Sequence, residues 1–153
     1  MTLRRRGAAA GAAALLVLAG CGDDGPPAGT FRLSASEAEG YATAYIAEVV
    51  ADPPGDDLAP GAGEHVVIRN NAEIRIDLGG WTIEDGDGDR LPLGIGRQID
   101  VGAELRVHTG TGDDDDQAVF AGLDDEALDD DRGVVRLLDS AGMEVMRMVY
   151  GDR

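Results

Sequence analysis

In the stretch 85-DGDGD-89, carboxylates recur at alternate positions, a spacing that can grip a calcium ion. A helix–loop–helix calcium loop also needs Gly at its sixth position and a bidentate acid at its twelfth. Counted from Asp85, those positions hold Arg90 and Gly96, so the run fails both. Asp-Gly pairs also supply the positive φ angles of tight turns, and the run lies between an apolar strand pattern and Leu91-Pro92. A turn is therefore the favoured reading, with Asp85, Asp87 and Asp89 kept as weak calcium candidates. The runs Asp113 to Asp116 and Asp124, Asp125, Glu126 join them only if the fold makes them converge. His65 and His108 lie far apart in the chain without a Cys partner, so zinc is not expected. Both fall on the polar side of strand patterns, where exposure is the default. The serines Ser34, Ser36 and Ser140 lack a Gly-x-Ser-x-Gly elbow. Acids are too numerous for counting to exclude a glycosidase pair, but aromatic residues for sugar stacking are few. No enzyme is expected.

The elements that position these residues must come from one domain, since 153 residues build one ordinary core. The formal net charge is −17, from 30 acids against 13 bases, and every base is Arg. Such a field repels phosphate backbones, and no Arg cluster outside the N-terminus opposes it, so nucleic acid is not an expected partner.

The N-terminus reads as an address. Arg4, Arg5 and Arg6 precede an apolar run from Gly7 to Ala19, too short to span a bilayer but suited to a secretory signal. The following Leu18-Ala-Gly-Cys21 resembles a prokaryotic lipobox, which implies cleavage before Cys21 and lipidation of that residue. Residues 1–20 are thus expected to be a lipoprotein signal peptide. Cys21 is the chain's single cysteine, so no internal disulfide can form. Residues 21–43 read as a flexible tether, led by the Gly-, Pro- and Asp-rich 22-GDDGPPAGT-30. Ser36 with Glu39 mimics a capping box, although Gly40 would end any helix early.

From Ala44 the pattern becomes short apolar runs between turn residues. Tyr45 to Val50 stops at Asp52-Pro-Pro-Gly55. Val66 and Ile68 alternate with His65, Val67 and Arg69, and Ile74, Ile76 and Leu78 with Arg75 and Asp77. Trp81 and Ile83 share a face after the Gly79-Gly80 bend, which marks Trp81 as a core peg. Leu105 and Val107 repeat the alternation. Val134 to Asp139 and Met143 to Tyr150 form two strands around Ser140-Ala-Gly142, and the apolar character of the second suggests a central position. Many short strands without a helical period predict an antiparallel β-sandwich or barrel.

The order IAEVVADPPG, EHVVIRNNAEIRIDLGGWTIED, LPLGIGRQIDVGAELRV and GVVRLLDSAGMEVMRMVYG resembles the lamin tail domain over residues 44–151. Asp77, Leu78, Gly80, Trp81, Ile83 and Asp85 fit the family's central motif, and Leu138, Asp139, Gly142 and Tyr150 its closing one. Gly79 stands where Ser is usual and Val67 where Glu is usual. The resemblance implies an all-β, immunoglobulin-like sandwich acting without catalysis as a protein- or surface-binding module. Joined to the lipobox, it implies a scaffold held on the outer side of a cell membrane or outer membrane. The alternative is a calcium-dependent adhesion module using the Asp-rich loops; otherwise no cofactor is expected.

Overall fold

The computed structural model describes residues 26–151, and the leader and Cys21 lie outside them. Eleven strands and one helical turn follow in the order β1 (Thr30–Arg32), α1 (Ala35–Ala38), β2 (Ala44–Val50), β3 (His65–Asn70), β4 (Ile76–Asp77), β5 (Thr82–Glu84), β6 (Arg90–Pro92), β7 (Gln98–Ile99), β8 (Glu104–His108), β9 (Ala118–Phe120), β10 (Arg132–Leu138) and β11 (Glu144–Gly151). They form a five-stranded sheet in the order β1-β2-β3-β8-β9, a four-stranded sheet β11-β10-β5-β6, and a two-stranded ribbon β4-β7. The predicted immunoglobulin-like β-sandwich is the observed architecture.

Alternation along the strands builds the core. Ile46, Val49, Val66, Ile68, Leu105 and Val107 project from the five-stranded sheet against Ile83, Leu91, Val135, Leu137, Met146 and Met148 of the other. Each aliphatic side chain so buried contributes about 1.5–3 kcal/mol against chain entropy. Few aromatics take part, as the composition requires.

Several expectations need correction. The segment 21–43 is not all tether, because β1 pairs with β2 (Phe31 opposite Val49) and α1 follows it. The capping box is Ser34 with Glu37, two residues earlier than Ser36 with Glu39. Ser34 Oγ accepts the Glu37 amide, and the Glu37 carboxylate accepts the Ser34 amide at 3.0 Å. Starting there leaves room for a full turn before Gly40.

Only Ile76–Asp77 of the segment 74–78 forms a strand, and Ile74 is 70% exposed. The buried Asn70 amide explains this. It donates to the carbonyls of Ile74 (2.8 Å) and Ile99 (3.1 Å) and accepts the Ala72 amide, satisfying the backbone without a ladder. The sandwich is not wholly antiparallel, because β9 lies parallel to β8. β11 is an edge strand, not a central one: β10 covers one side only, and Val149 stays 60% exposed. The apolar pattern of β11 reflects Met146, Met148 and Tyr150 facing the core.

Trp81 is half-buried against the core instead of being its central peg. Leu78 and Ile83, both fully buried, fill that place. Gly80 has φ near +77° and sits against Ser140, so the bend turns where a side chain would be strained and crowded.

Candidate functional site

The Asp85–Asp89 stretch is a turn joining β5 to β6. Asp85 is buried, and its Oδ1 accepts the amides of Asp87 (3.0 Å), Gly88 (2.7 Å) and Asp89 (2.7 Å). This carboxylate is committed to its own backbone, while Asp87 and Asp89 point to solvent. Asp77 plays a similar local part, accepting the Gly79 amide at 2.8 Å before the Gly79-Gly80 bend. Tyr150 is buried, and its hydroxyl donates to the Asp129 carbonyl at 2.9 Å. Burial first, then the charge of Asp129, holds its phenol above the usual range. Gly133 lies opposite Tyr150 in the ladder and must be Gly, because a Cβ there would strike the ring.

The histidines are not exposed as expected. His65 and His108 face each other across β3 and β8 with ring centroids 4.9 Å apart, and His108 stacks on Phe120 at 4.7 Å. His108 is buried and its Nδ1 has no partner, whereas His65 Nδ1 meets the Gly63 carbonyl at 2.8 Å. Burial, then the positive neighbours His65 and Arg106, pushes the His108 pKa down to about 4.

The carboxylates that do converge come from other segments. Among the described residues, Asp57, Glu126 and Asp130 are the one group of three metal-type ligands whose oxygens lie within 4.8 Å of one another. Only Glu126 belonged to a run singled out from the sequence. Glu126 is fully exposed, and its pKa is raised first by the hydrogen bond and then by the repulsion that Asp57 supplies. Desolvation, followed by the charges of Asp52, Asp57, Asp129 and Asp131, raises Asp130.

Beneath this cluster the fully buried Glu64 accepts the amides of Ala127 (2.6 Å) and Leu128 (3.3 Å), tying the 121–131 loop to the start of β3. Burial raises its pKa despite those bonds. No sequence signal marked Glu64, since an acid opening a strand reads as surface.

A groove runs along the flank where β1, at the edge of one sheet, approaches β11, at the edge of the other. Its volume is about 800 Å³, and its lining includes Phe31, Leu33, Tyr41, Met148, Val149 and Tyr150. Phe31 and Tyr150 touch across it, with centroids 4.9 Å apart. The two edges belong to different sheets, and each strand is paired on one side only. The arrangement suits capture of an extended segment.

No curated protein matches the chain. The family model of the Lamin Tail Domain matches residues 37–152, which takes in the Asp77–Asp85 motif, the acid-rich loops and the β10–β11 hairpin. With the sandwich topology and these motifs in place, the chain belongs to the lamin tail domain family.

Proposed function

We propose that the protein is a non-catalytic, membrane-anchored extracytoplasmic lipoprotein whose sandwich binds protein or cell-surface partners as a scaffold. The observation that carries the binding part is the groove between two unpaired strand edges, lined by Phe31, Tyr41 and Val149. Its membership of a family of immunoglobulin-like modules supports the same reading. The anchoring part rests on the signal pattern and the lipobox-like Leu18-Ala-Gly-Cys21. Several acyl chains on Cys21 would hold the chain firmly, where a single chain gives only marginal attachment. Replacing Cys21 by Ser tests the anchor: the protein is expected to leave the membrane fraction, and unchanged fractionation overturns the assignment. A pulldown from solubilised membranes tests the module, and the absence of any reproducible partner counts against it.

A second reading, calcium-dependent adhesion, draws on the Asp57, Glu126 and Asp130 group in place of the Asp85–Asp89 turn. Hard oxygen ligands of this kind suit calcium. Calorimetric titration at moderate ionic strength decides it: saturable heat with a rise in Tm supports the reading, and neither ends it.

A further inference from the structure

The histidine pair, which the binding reading does not use, sits where an edge strand is fastened to its sheet. β9 is the outermost strand of the five-stranded sheet and pairs with β8 through Ala118, Val119 and Phe120, opposite Arg106, Val107 and His108. His108 meets this part of the chain twice. Its ring stacks on Phe120, and its carbonyl accepts the Ala121 amide at 2.8 Å. Gly112, in the acidic loop between β8 and β9, packs its backbone on the Phe120 ring, which a Cβ there would strike. His65, His108, Phe120 and Gly112 thus form one row of contacts from β3 through β8 and β9 to the loop.

The row suits neutral imidazoles only. An imidazolium donates from both ring nitrogens, and the buried His108 Nδ1 has no acceptor. A charge on His108 would also meet Arg106 on its own strand, and His65 opposite once that ring gains a proton. The acids around the row are engaged elsewhere. Glu48, whose charge reaches His65, is paired with Arg32. Asp114 accepts the Phe120 amide at 2.9 Å and faces Arg97 at 3.7 Å, and Asp115 accepts the Gln117 and Ala118 amides. Glu64, next to His65 in the chain, is held by the Ala127 and Leu128 amides, and Asp57 faces Glu126 and Asp130. Asp113 is exposed to water. Val50 and Phe120, the other members of the row's cross-strand register, bring no charge.

We infer that the His65–His108 pair is an acid-sensitive clasp on β9. Protonation of the pair releases β9 and the 109–117 loop from β8 while the rest of the sandwich stays folded. At neutral pH the stacked rings and the buried Val119 keep the strand seated. Release moves the open edge of the sheet from the short β9 to the longer β8, so acid uncovers a new edge for strand pairing.

The test follows amide hydrogen exchange by NMR on the full chain in mild detergent, corrected for intrinsic rates. The reporters are the amides of Arg106 and Ala121, whose acceptors are the Gln117 and His108 carbonyls across the β8–β9 junction. An opening that frees a histidine of ordinary pKa 6.5 becomes about tenfold easier for each pH unit below that value. Protection of both reporters is expected to fall about thirtyfold between pH 7.5 and 5. They should also exchange faster than Val135 and Leu137 of β10, with little dependence on urea, the mark of a local opening. If they share the protection and the urea dependence of β10, β9 leaves only with the whole fold and the clasp is overturned. His108→Phe keeps a ring in the row and removes the proton, so it should flatten the pH dependence of the reporters. An undiminished dependence in that variant overturns the proposal. Ring signals of His108 in the native chain give a second check that needs no variant: a midpoint well below 6.5 supports the clasp, and one at or above 6.5 overturns it.

Discussion

Two acid-rich regions of this molecule behave in opposite ways. In the Asp85–Asp89 turn, one buried carboxylate accepts three amides from the next four residues, and the remaining acids face water. In the Asp57, Glu126 and Asp130 group, carboxylates from distant segments face one another; a hydrogen bond with Asp57 and then its charge raise the Glu126 pKa, and desolvation followed by neighbouring acids raises that of Asp130. Acids close in sequence can fold the backbone into their own solvation shell. Acids assembled by tertiary structure meet without such local donors. The same residue type is structural in one place and a candidate contact in the other.

Glu64 offers the hardest test of this contrast, because it sits under the second region yet behaves like the first. Glu64→Ala would strand the amides of Ala127 and Leu128 in a buried site and release the 121–131 loop. A loss of about 2–4 kcal/mol is expected in urea unfolding, from two unsatisfied buried donors and a cavity. A loss below that of a surface substitution would mean that the loop is held by other contacts. Asp85→Ala should cost about 1–3 kcal/mol by the same measurement, since three amides lose one acceptor but remain nearer to water. It should leave any response to calcium intact.

Acid titration separates buried groups by sign. The His108 pKa in the folded state is about 4, below its ordinary 6.5. The unfolded chain therefore binds a proton first, and stability falls as pH drops from 6.5 to 4. His65 is lowered as well and acts in the same direction. Glu64, raised above 4.5, acts oppositely: its contribution is present at low pH and is lost as pH rises through its folded value. Urea midpoints for the native chain and for His108→Phe at pH 7.5 and 5 check the balance, and the variant should lose less on acidification. The smallest effect is expected for Asp130→Asn, a slight rise in Tm at low salt that disappears at high salt as repulsion is screened. A fall in Tm would show that Asp130 supports the loop instead of straining it.

Much of the architecture was legible because it depends on local alternation. The pattern of Val66 and Ile68, of Leu105 and Val107, and of the β10–β11 hairpin places side chains on two faces whatever lies beyond them. Position within a sheet was not legible in this way. β11 is apolar enough to be central yet lies at an edge, because core-facing Met146, Met148 and Tyr150 supply most of that character. The ladder expected from Ile74 onward yielded to Asn70, whose side chain captures carbonyls at positions 74 and 99. Trp81 yielded the center of the core to Leu78 and Ile83, and His108 is buried and His65 half-buried where the two become neighbours.

The sequence by itself determined the strands β2, β3, β5, β8, β10 and β11, the Asp85 turn and the family motif, since each rests on residues a few positions apart that set φ, periodicity or a local hydrogen bond. Tertiary structure alone decided which acids converge and which edges stay open. Asp57 meets Glu126 and Asp130, and β1 approaches β11, only after sheet order is set. Those relations are fixed by the packing of the whole core, which no local window contains.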